Sequence, residues 1–352
     1  MGIKYLNSYI KQNVSQDSIN KINLSSLYGK TIVIDTSIYL YRFLIDGTLL
    51  ENMYIMISSF RYYNITPIFI LDGKSPIEKS ELIKKRLNDK NLAEKQYNHI
   101  KQTIQCVEST QSQTELYNTM KLLKKKFIRL KRADYIKVIE LIDAFGVTYI
   151  EATGEADALC AKLVIKKFAY ACLSEDMDLF VYGCPRVLRY LSLINNTVVI
   201  YHLNNILQDL NLAFKEFKDI CVLSGTDYHI NVNNDNLLNL YQILKYFELY
   251  KNSNDYNNID FYEWVDANYN CIENIYKLYD ISNMFLTKNI TLKKNIILKK
   301  NKVKIKKQFN FEKIKEIMKP EGFIFLEGDT PSTPYLNKNE MKKFGCLRGG
   351  KV

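Results

Sequence analysis

The residues best placed to do chemistry in this chain are acids at the ends of short apolar runs. Asp35 follows Ile32–Ile34, Asp72 follows Ile68–Leu71 and precedes Gly73, and Asp176 and Asp178 follow Ala169–Leu173. Glu155 and Asp157 open the stretch GEADALCAKL, and Asp227 lies in LSGTDY. Taken singly, each has an ordinary explanation: an Asp after a strand makes a turn, and acids in a first helical turn meet the positive end of the helix dipole. Counted together, the seven would crowd like charges into one cleft, which is costly unless cations neutralise them. Hard oxygen ligands without Cys or His suit Mg2+ or Mn2+. Two such ions about 4 Å apart are a known solution for phosphodiester cleavage, one helping to deprotonate the attacking water and the other stabilising the leaving oxygen. The three histidines, His99, His202 and His229, fall outside these groups, which argues against a histidine-based mechanism.

Such acids meet only if the elements that carry them end side by side. TIVID (31–35), PIFILD (67–72), GVTYIEA (146–152), Ala169–Leu173 and TVVIYH (197–202) read as strands, with amphipathic stretches Ser37–Leu44, Tyr54–Tyr63, Tyr135–Phe145 and Ala156–Lys167 between them. This alternation predicts an α/β fold, a mostly parallel sheet flanked by helices. The carboxyl ends of its strands gather along one edge, where sites form. From Glu78 to about Arg132 there is no strand candidate, and the wealth of Lys, Arg, Glu and Gln predicts a solvated helical insertion. After Asp227 the chain turns rich in Asn, Tyr, Leu and Lys, with helical spacing over Asn236–Leu249 and Asp260–Tyr279. Residues 288–307 hold nine lysines and no acid, which by itself describes a solvated face. From Gly322 on, Gly, Pro, Thr and Lys without periodicity predict a loosely ordered tail.

The 352 residues are enough to bury a sizeable core, and 47% hydrophobic content is ordinary for a globular protein. The charge is less ordinary: 49 Lys and Arg against 38 Asp and Glu give +11, which favours a polyanionic partner through counterion release. Cys106, Cys160, Cys172, Cys184, Cys221, Cys271 and Cys346 are odd in number and form no Cys-x-x-Cys pair. They read as free thiols in a reducing compartment rather than a disulfide frame or zinc site. The opening MGIKYLNSYI has no apolar signal core, Leu6 stands where a myristoylation signal has Ser or Thr, and no apolar run reaches membrane-spanning length. The expectation is a soluble intracellular chain without a membrane partner.

In order along the chain, MGIKYL, TIVIDTSIYLYRFL, IFILDGKSP, YIEATGEADALCAKL, ACLSEDMDLFVYG and YHLNNILQDLNLAFKEFKDICVLSGTDY cover most of residues 1–228. On these segments the chain resembles the XPG/flap endonuclease family. The resemblance implies a PIN-like nuclease core at 1–230 with a helical arch at about 79–132. It implies a helical, basic DNA-binding region at 231–320 and leaves 321–352 as the tail. It further implies a structure-specific 5′ nuclease that hydrolyses phosphodiesters near single-strand/duplex junctions, as a 5′-flap endonuclease and 5′–3′ exonuclease in replication, repair or recombination. The competing reading is a catalytically silent DNA-binding scaffold, against which the complete acid set speaks.

Residue by residue, the resemblance makes Asp35, Asp72, Glu155, Asp157, Asp176, Asp178 and Asp227 ligands of two Mg2+ ions, with Mn2+ as a substitute. Lys79 and Arg86, two helical turns apart in KSPIEKSELIKKR, match a basic pair that contacts the scissile phosphate. Tyr41 matches an aromatic that stacks on a base near the cut, and Gly2 in the amino-terminal MGI falls among the DNA contacts. Lys125, Arg129 and Arg132, with Lys121, Lys124, Lys126 and Lys131, suit an electrostatic funnel for a single strand. Implied partners are DNA flaps, nicks and junctions, bound by a monomer in the nucleus or, for a virus, at a cytoplasmic replication site. Three departures stand out. Asp157 occupies a position where Glu is more usual. No Gly occurs from Thr226 to Glu321, so the family's Gly-containing helix-two-turn-helix is degenerate here, with Lys299, Lys300, Lys302 and Lys304 candidates to take over duplex binding. The tail lacks the Gln-x-x-aliphatic-x-x-aromatic-aromatic motif that docks on sliding clamps.

Overall fold

The chain opens with helix α1 (Leu6–Asn13) and strand β1 (Ile19–Asn23), then β2 (Thr31–Asp35), α2 (Thr36–Ile45), α3 (Leu49–Tyr62) and β3 (Thr66–Leu71). Two long helices follow, α4 (Ser80–Thr103) and α5 (Thr110–Phe127), and then α6 (Arg132–Ala144), β4 (Thr148–Glu151), α7 (Ala156–Ile165), β5 (Ala171–Leu173) and the short α8 (Asp178–Val181). After β6 (Arg186–Ser192) and β7 (Thr197–His202) the remaining elements are helical: α9 (Leu203–Asp209), α10 (Phe214–Leu223), α11 (Leu240–Lys251), α12 (Phe261–Tyr269), α13 (Ile275–Met284) and α14 (Phe311–Met318). This is a computed structural model, and it describes residues 2–103, 110–228, 238–256, 258–286 and 308–325.

The seven strands among the described residues join one sheet in the order β1-β7-β6-β5-β2-β3-β4. The five from β6 to β4 run parallel, and β7 and β1 add an antiparallel edge. The central runs TIVID, PIFIL and ACL are nearly all buried, as strands covered on both faces must be. One face packs against α1, α7 and α10–α13, and the other against α2, α3, α6 and α14.

The five expected strands and the α/β class are all present. Two strands were not legible: INKIN makes β1 by pairing its edge with β7 despite its polar composition, and RVLRYLS makes β6 with two arginines in it. The helical spacing over Asp260–Tyr279 is broken in space, because Asn270 takes a left-handed conformation (φ 47°) that ends α12, and Asn274 caps α13 by accepting from the Lys277 N–H. Between Glu78 and Arg132 the insertion is indeed helical, with α4 and α5 packed on each other.

The region expected as one unit at 231–320 is divided between the two faces. α11–α13 pack beside α10, while Phe311, Ile314 and Met318 of α14 bury themselves on the α6 side. Phe323 and Phe325 continue that packing, their rings 5.0 and 6.2 Å from Tyr54, so order extends past residue 321. The lysine run with Lys299, Lys300, Lys302 and Lys304, and the tail from 326 on, lie outside the described residues. Among the described residues no helix is long and apolar enough to cross a membrane, and five free cysteines are found.

Candidate functional site

Sheet register brings the acids together. Asp35 is the last residue of β2, Asp72 stands one residue past β3, and Ile34 pairs with Leu173 of β5 so that Ser174 emerges beside Asp35. The Ser174 hydroxyl donates to Asp35 Oδ2 at 2.8 Å and accepts from the Asp176 N–H at 3.1 Å, and the Asp178 N–H donates to Asp176 Oδ1 at 3.1 Å. Asp72 Oδ1 accepts from the Ala156 N–H at 2.8 Å. That bond caps α7, which Glu155 immediately precedes and whose first turn carries Asp157. Two glycines are dictated by close approach. A Cβ on Gly73 would lie 2.1 Å from the Ala152 carbonyl, and one on Gly2 (φ +76°) would lie 2.5 Å from Asp176 Oδ1 and 2.6 Å from Asp178 Oδ1. Gly2 therefore belongs to the floor of the site, against two of its acids.

Crowding and burial shape the electrostatics. Burial, with repulsion from Asp72 and Asp176, pushes Asp35 up to about 7. Burial and neighbouring acids likewise raise Asp157 and Asp178 well above the usual carboxylate range, and burial raises Asp176. Asp157 Oδ1 and Asp178 Oδ1 are buried without a hydrogen-bond partner, an expensive state for a carboxylate oxygen.

Two cations partly offset the acids. Lys79 Nζ sits 2.7 Å from Glu155 Oε1 and 3.9 Å from Asp227 Oδ2, and Arg86 Nη2 lies 3.0 Å from Asp227 Oδ2. Burial alone would lower the Lys79 ammonium, but Glu155, Asp227 and Asp178 outweigh it and hold it raised. Lys79 and Arg86 do converge, although not from one regular helix: Lys79 ends a 3-10 turn, Ile77–Lys79, that leads into α4. Tyr228 completes the arrangement. Its hydroxyl donates to Glu155 Oε2 and lies 3.0 Å from the Tyr182 hydroxyl, and its ring lies 4.5 Å beneath Lys79 Nζ.

The donor set suits hard divalent ions: seven carboxylates, two orphaned buried oxygens and no thiol or imidazole. Among the described residues no three of them yet converge closely enough to hold an ion as they stand. Lys79 and Arg86 supply part of the neutralising charge instead.

Above the floor is a cleft of about 1000 Å³, walled by Ile38, Tyr41 and Ile45 of α2 and by Ile83, Leu87 and Lys90 of α4. Tyr41 is exposed, with Lys90 Nζ 5.1 Å from its ring centre. Three expected contacts stand apart from the cleft lining. Lys125 and Arg132 are exposed, and Arg129, just past the end of α5, pairs with Glu94 at 3.0 Å and Asn91 at 2.8 Å, tying the segment after α5 to α4. Sequence reasoning missed Ser174, Tyr182, Tyr228 and Arg189. Ser174 and Tyr228 were within reach, since Ser174 lies two residues before Asp176 and Tyr228 borders Asp227, acids already singled out. Arg189 gave no motif signal, yet its buried guanidinium donates to the Glu175 carbonyl at 2.9 Å and reaches Asn7 on α1.

Residues 1–93 match the XPG N-terminal domain and residues 146–227 the XPG I-region. Flap endonuclease 1 of Xenopus tropicalis is 30% identical over 246 residues, 65% of this chain, and the chain spans only 61% of that relative's length. The structure of flap endonuclease-1 from Methanococcus jannaschii aligns with a TM-score of 0.59 at 20% identity, over 91% of this chain and 93% of that one. Human GEN1 in complex with Holliday junction DNA aligns with a TM-score of 0.59 at 18% identity, over 90% of this chain and 72% of that one. At such identities the likeness to the solved structures is one of fold.

Proposed function

The chain belongs to the XPG/flap endonuclease family, and from that premise we propose that it is a metal-dependent, structure-specific nuclease that hydrolyses DNA near single-strand/duplex junctions. The observation that carries the proposal is the floor of the cleft, where buried acids face Lys79 and Arg86 and two carboxylate oxygens have no partner. A scaffold that only binds DNA would gain nothing from placing this negative charge where phosphates must come.

Asp35, Asp72, Glu155, Asp157, Asp176, Asp178 and Asp227 are the residues that would hold two Mg2+ ions. When bound, the ions would supply an activated water and charge stabilisation at the leaving oxygen. The chain's own groups do the rest. Lys79 and Arg86 reach the floor from the base of the hairpin, so they can swing from the carboxylates onto the scissile phosphate and favour its transition state. Tyr41 and the aliphatic wall of α2 give an unpaired base a surface to rest on, and Lys90 above the Tyr41 ring adds charge for the adjoining phosphate. Tyr228 orients Glu155 and supports Lys79.

The test is cleavage of a labelled 5′-flap compared with nicked duplex, blunt duplex and a four-way junction. The expected result is a strong preference for the branched and nicked substrates over blunt duplex. Equal cutting of all four would leave a nuclease without structure specificity and overturn that part of the reading.

A further inference from the structure

Seven non-glycine residues among those described have positive φ: Tyr5, Asn64, Lys167, Tyr190, Asn196, Asn211 and Asn270. Four are asparagines, whose short polar side chains tolerate the left-handed region. A tyrosine there is a true outlier. Tyr190 is held by its neighbours, since its N–H donates to Glu175 Oε1 at 2.7 Å and its hydroxyl accepts from Asn7 at 2.8 Å. Tyr5 (φ 66°) begins α1 without a side-chain capping bond, and its ring is 45% exposed. Burial does not repay this strain, and unrepaid strain of this kind gathers at functional sites.

The ring has company. Tyr241, in the first turn of α11, is 46% exposed and lies 6.0 Å from Tyr5 at 44°. Tyr9, one turn along α1, meets Tyr241 edge-on at 6.3 Å, and Lys4 Nζ lies 5.0 Å from the Tyr5 ring centre. α1 buries Leu6 and Ile10, which leaves the Tyr5 and Tyr9 flank facing α11. The place is adjacent to the chemistry. Gly2, against Asp176 and Asp178, is three residues from Tyr5, at most about 11 Å of chain. Tyr241 stands in the first helix described after Tyr228, within the glycine-free stretch from Thr226 to Glu321.

We propose that Tyr5 and Tyr241 form an aromatic platform beside the cleft on which unpaired bases of the DNA substrate stack, with Lys4 taking the neighbouring phosphate. The occupant follows from the chemistry of the patch: exposed rings with an ammonium group suit a base next to a phosphate, and stacking on aromatics is indifferent to sequence. The proposal rests on the reading of the chain as a DNA nuclease and adds a contact which that reading does not contain.

The experiment measures fluorescence anisotropy of labelled 5′-flap DNA in EDTA, so that no cutting intervenes, for wild type, Tyr5→Asn and Tyr241→Ala, alongside thermal midpoints. Each variant is expected to weaken binding on the order of 10-fold, without a change in the log-salt slope, because no phosphate contact is lost. Asn accepts positive φ, so Tyr5→Asn should keep or raise the thermal midpoint while losing affinity. An abasic scan across the junction should find nucleotides at which the variants and wild type bind equally. Wild type that binds no DNA overturns the functional reading and the platform with it. Wild type that binds, with variants that bind equally well, overturns only the platform. A fall in midpoint for both variants, with no abasic position that equalises them, also overturns it and makes the rings a brace between α1 and α11.

Discussion

On the floor of the cleft, Asp35 and Asp178 are 3% and 2% exposed; sheet register places Asp35 at the end of β2, and Asp178 opens α8 just beyond β5. On the hairpin above, the Arg86 side chain is 49% exposed and Arg129 52%, and α4 and α5 pack largely on each other. The matched family domains divide the same way: residues 1–93 and 146–227 contain the whole acid floor, while 94–145, most of the hairpin, falls between them. The strand ends that carry part of the floor are thus specified by backbone pairing, which a single side-chain change leaves intact. The hairpin would act at a distance, through long cationic side chains. Changes to the floor should therefore abolish chemistry without loss of fold, and changes above it should tune rate and affinity.

The largest effect is expected at the floor. Asp178→Ala should reduce cleavage to background while DNA binding holds or tightens, since a repelling carboxylate is gone; single-turnover cleavage and anisotropy read the two separately. Cutting at near wild-type rate would remove Asp178 from the ligand set. Next come the two cations that descend to the floor. Lys79→Ala and Arg86→Ala should each slow the chemical step by about 100-fold, with a smaller change in affinity, because charge aimed at the scissile phosphate acts mainly in the transition state. Collapsed affinity with rates changed only a few-fold would make both plain backbone contacts.

A smaller effect is expected outside both regions. Replacing Lys299, Lys300, Lys302 and Lys304 with Ala should weaken binding to flap and plain duplex alike, and flatten the log affinity–log salt slope by about 0.9 per lost contact. An unchanged slope would show that the lysine run does not touch DNA. The smallest effect concerns protons. Asp35 is held at about 7 against its ordinary 3.8, so between those values the folded chain keeps a proton that the unfolded chain has released. Metal-free stability must then fall as pH rises through that window. In EDTA the thermal midpoint should be lower at pH 8 than at pH 5.5, Asp35→Asn should reduce the difference, and Mg2+ should restore stability at the higher pH. A midpoint that rises with pH in EDTA would contradict the crowding of the acids.

How much of this could be read in advance followed the same division. TIVID, PIFIL and ACL were legible because strands buried on both faces must be continuously apolar, and Asp35 and Asp72 were legible because they close two of those runs. β1 was not, since INKIN is held by edge pairing rather than by its own pattern. The Lys79 contact with Glu155 joins residues 76 positions apart, and the Tyr228 contact with the same carboxylate joins residues 73 apart; no local periodicity encodes either. The Asp260–Tyr279 helix was read too long because its spacing continues through Asn270, and only the backbone conformation there breaks it.

The most direct test of the central claim is single-turnover cleavage of a 5′-labelled flap by protein first stripped with EDTA and then supplied with Mg2+. The account predicts no product in EDTA and, on adding Mg2+, one labelled oligonucleotide cut beside the junction. Product in EDTA at the same rate, or fragments scattered along the flap and duplex, would contradict it.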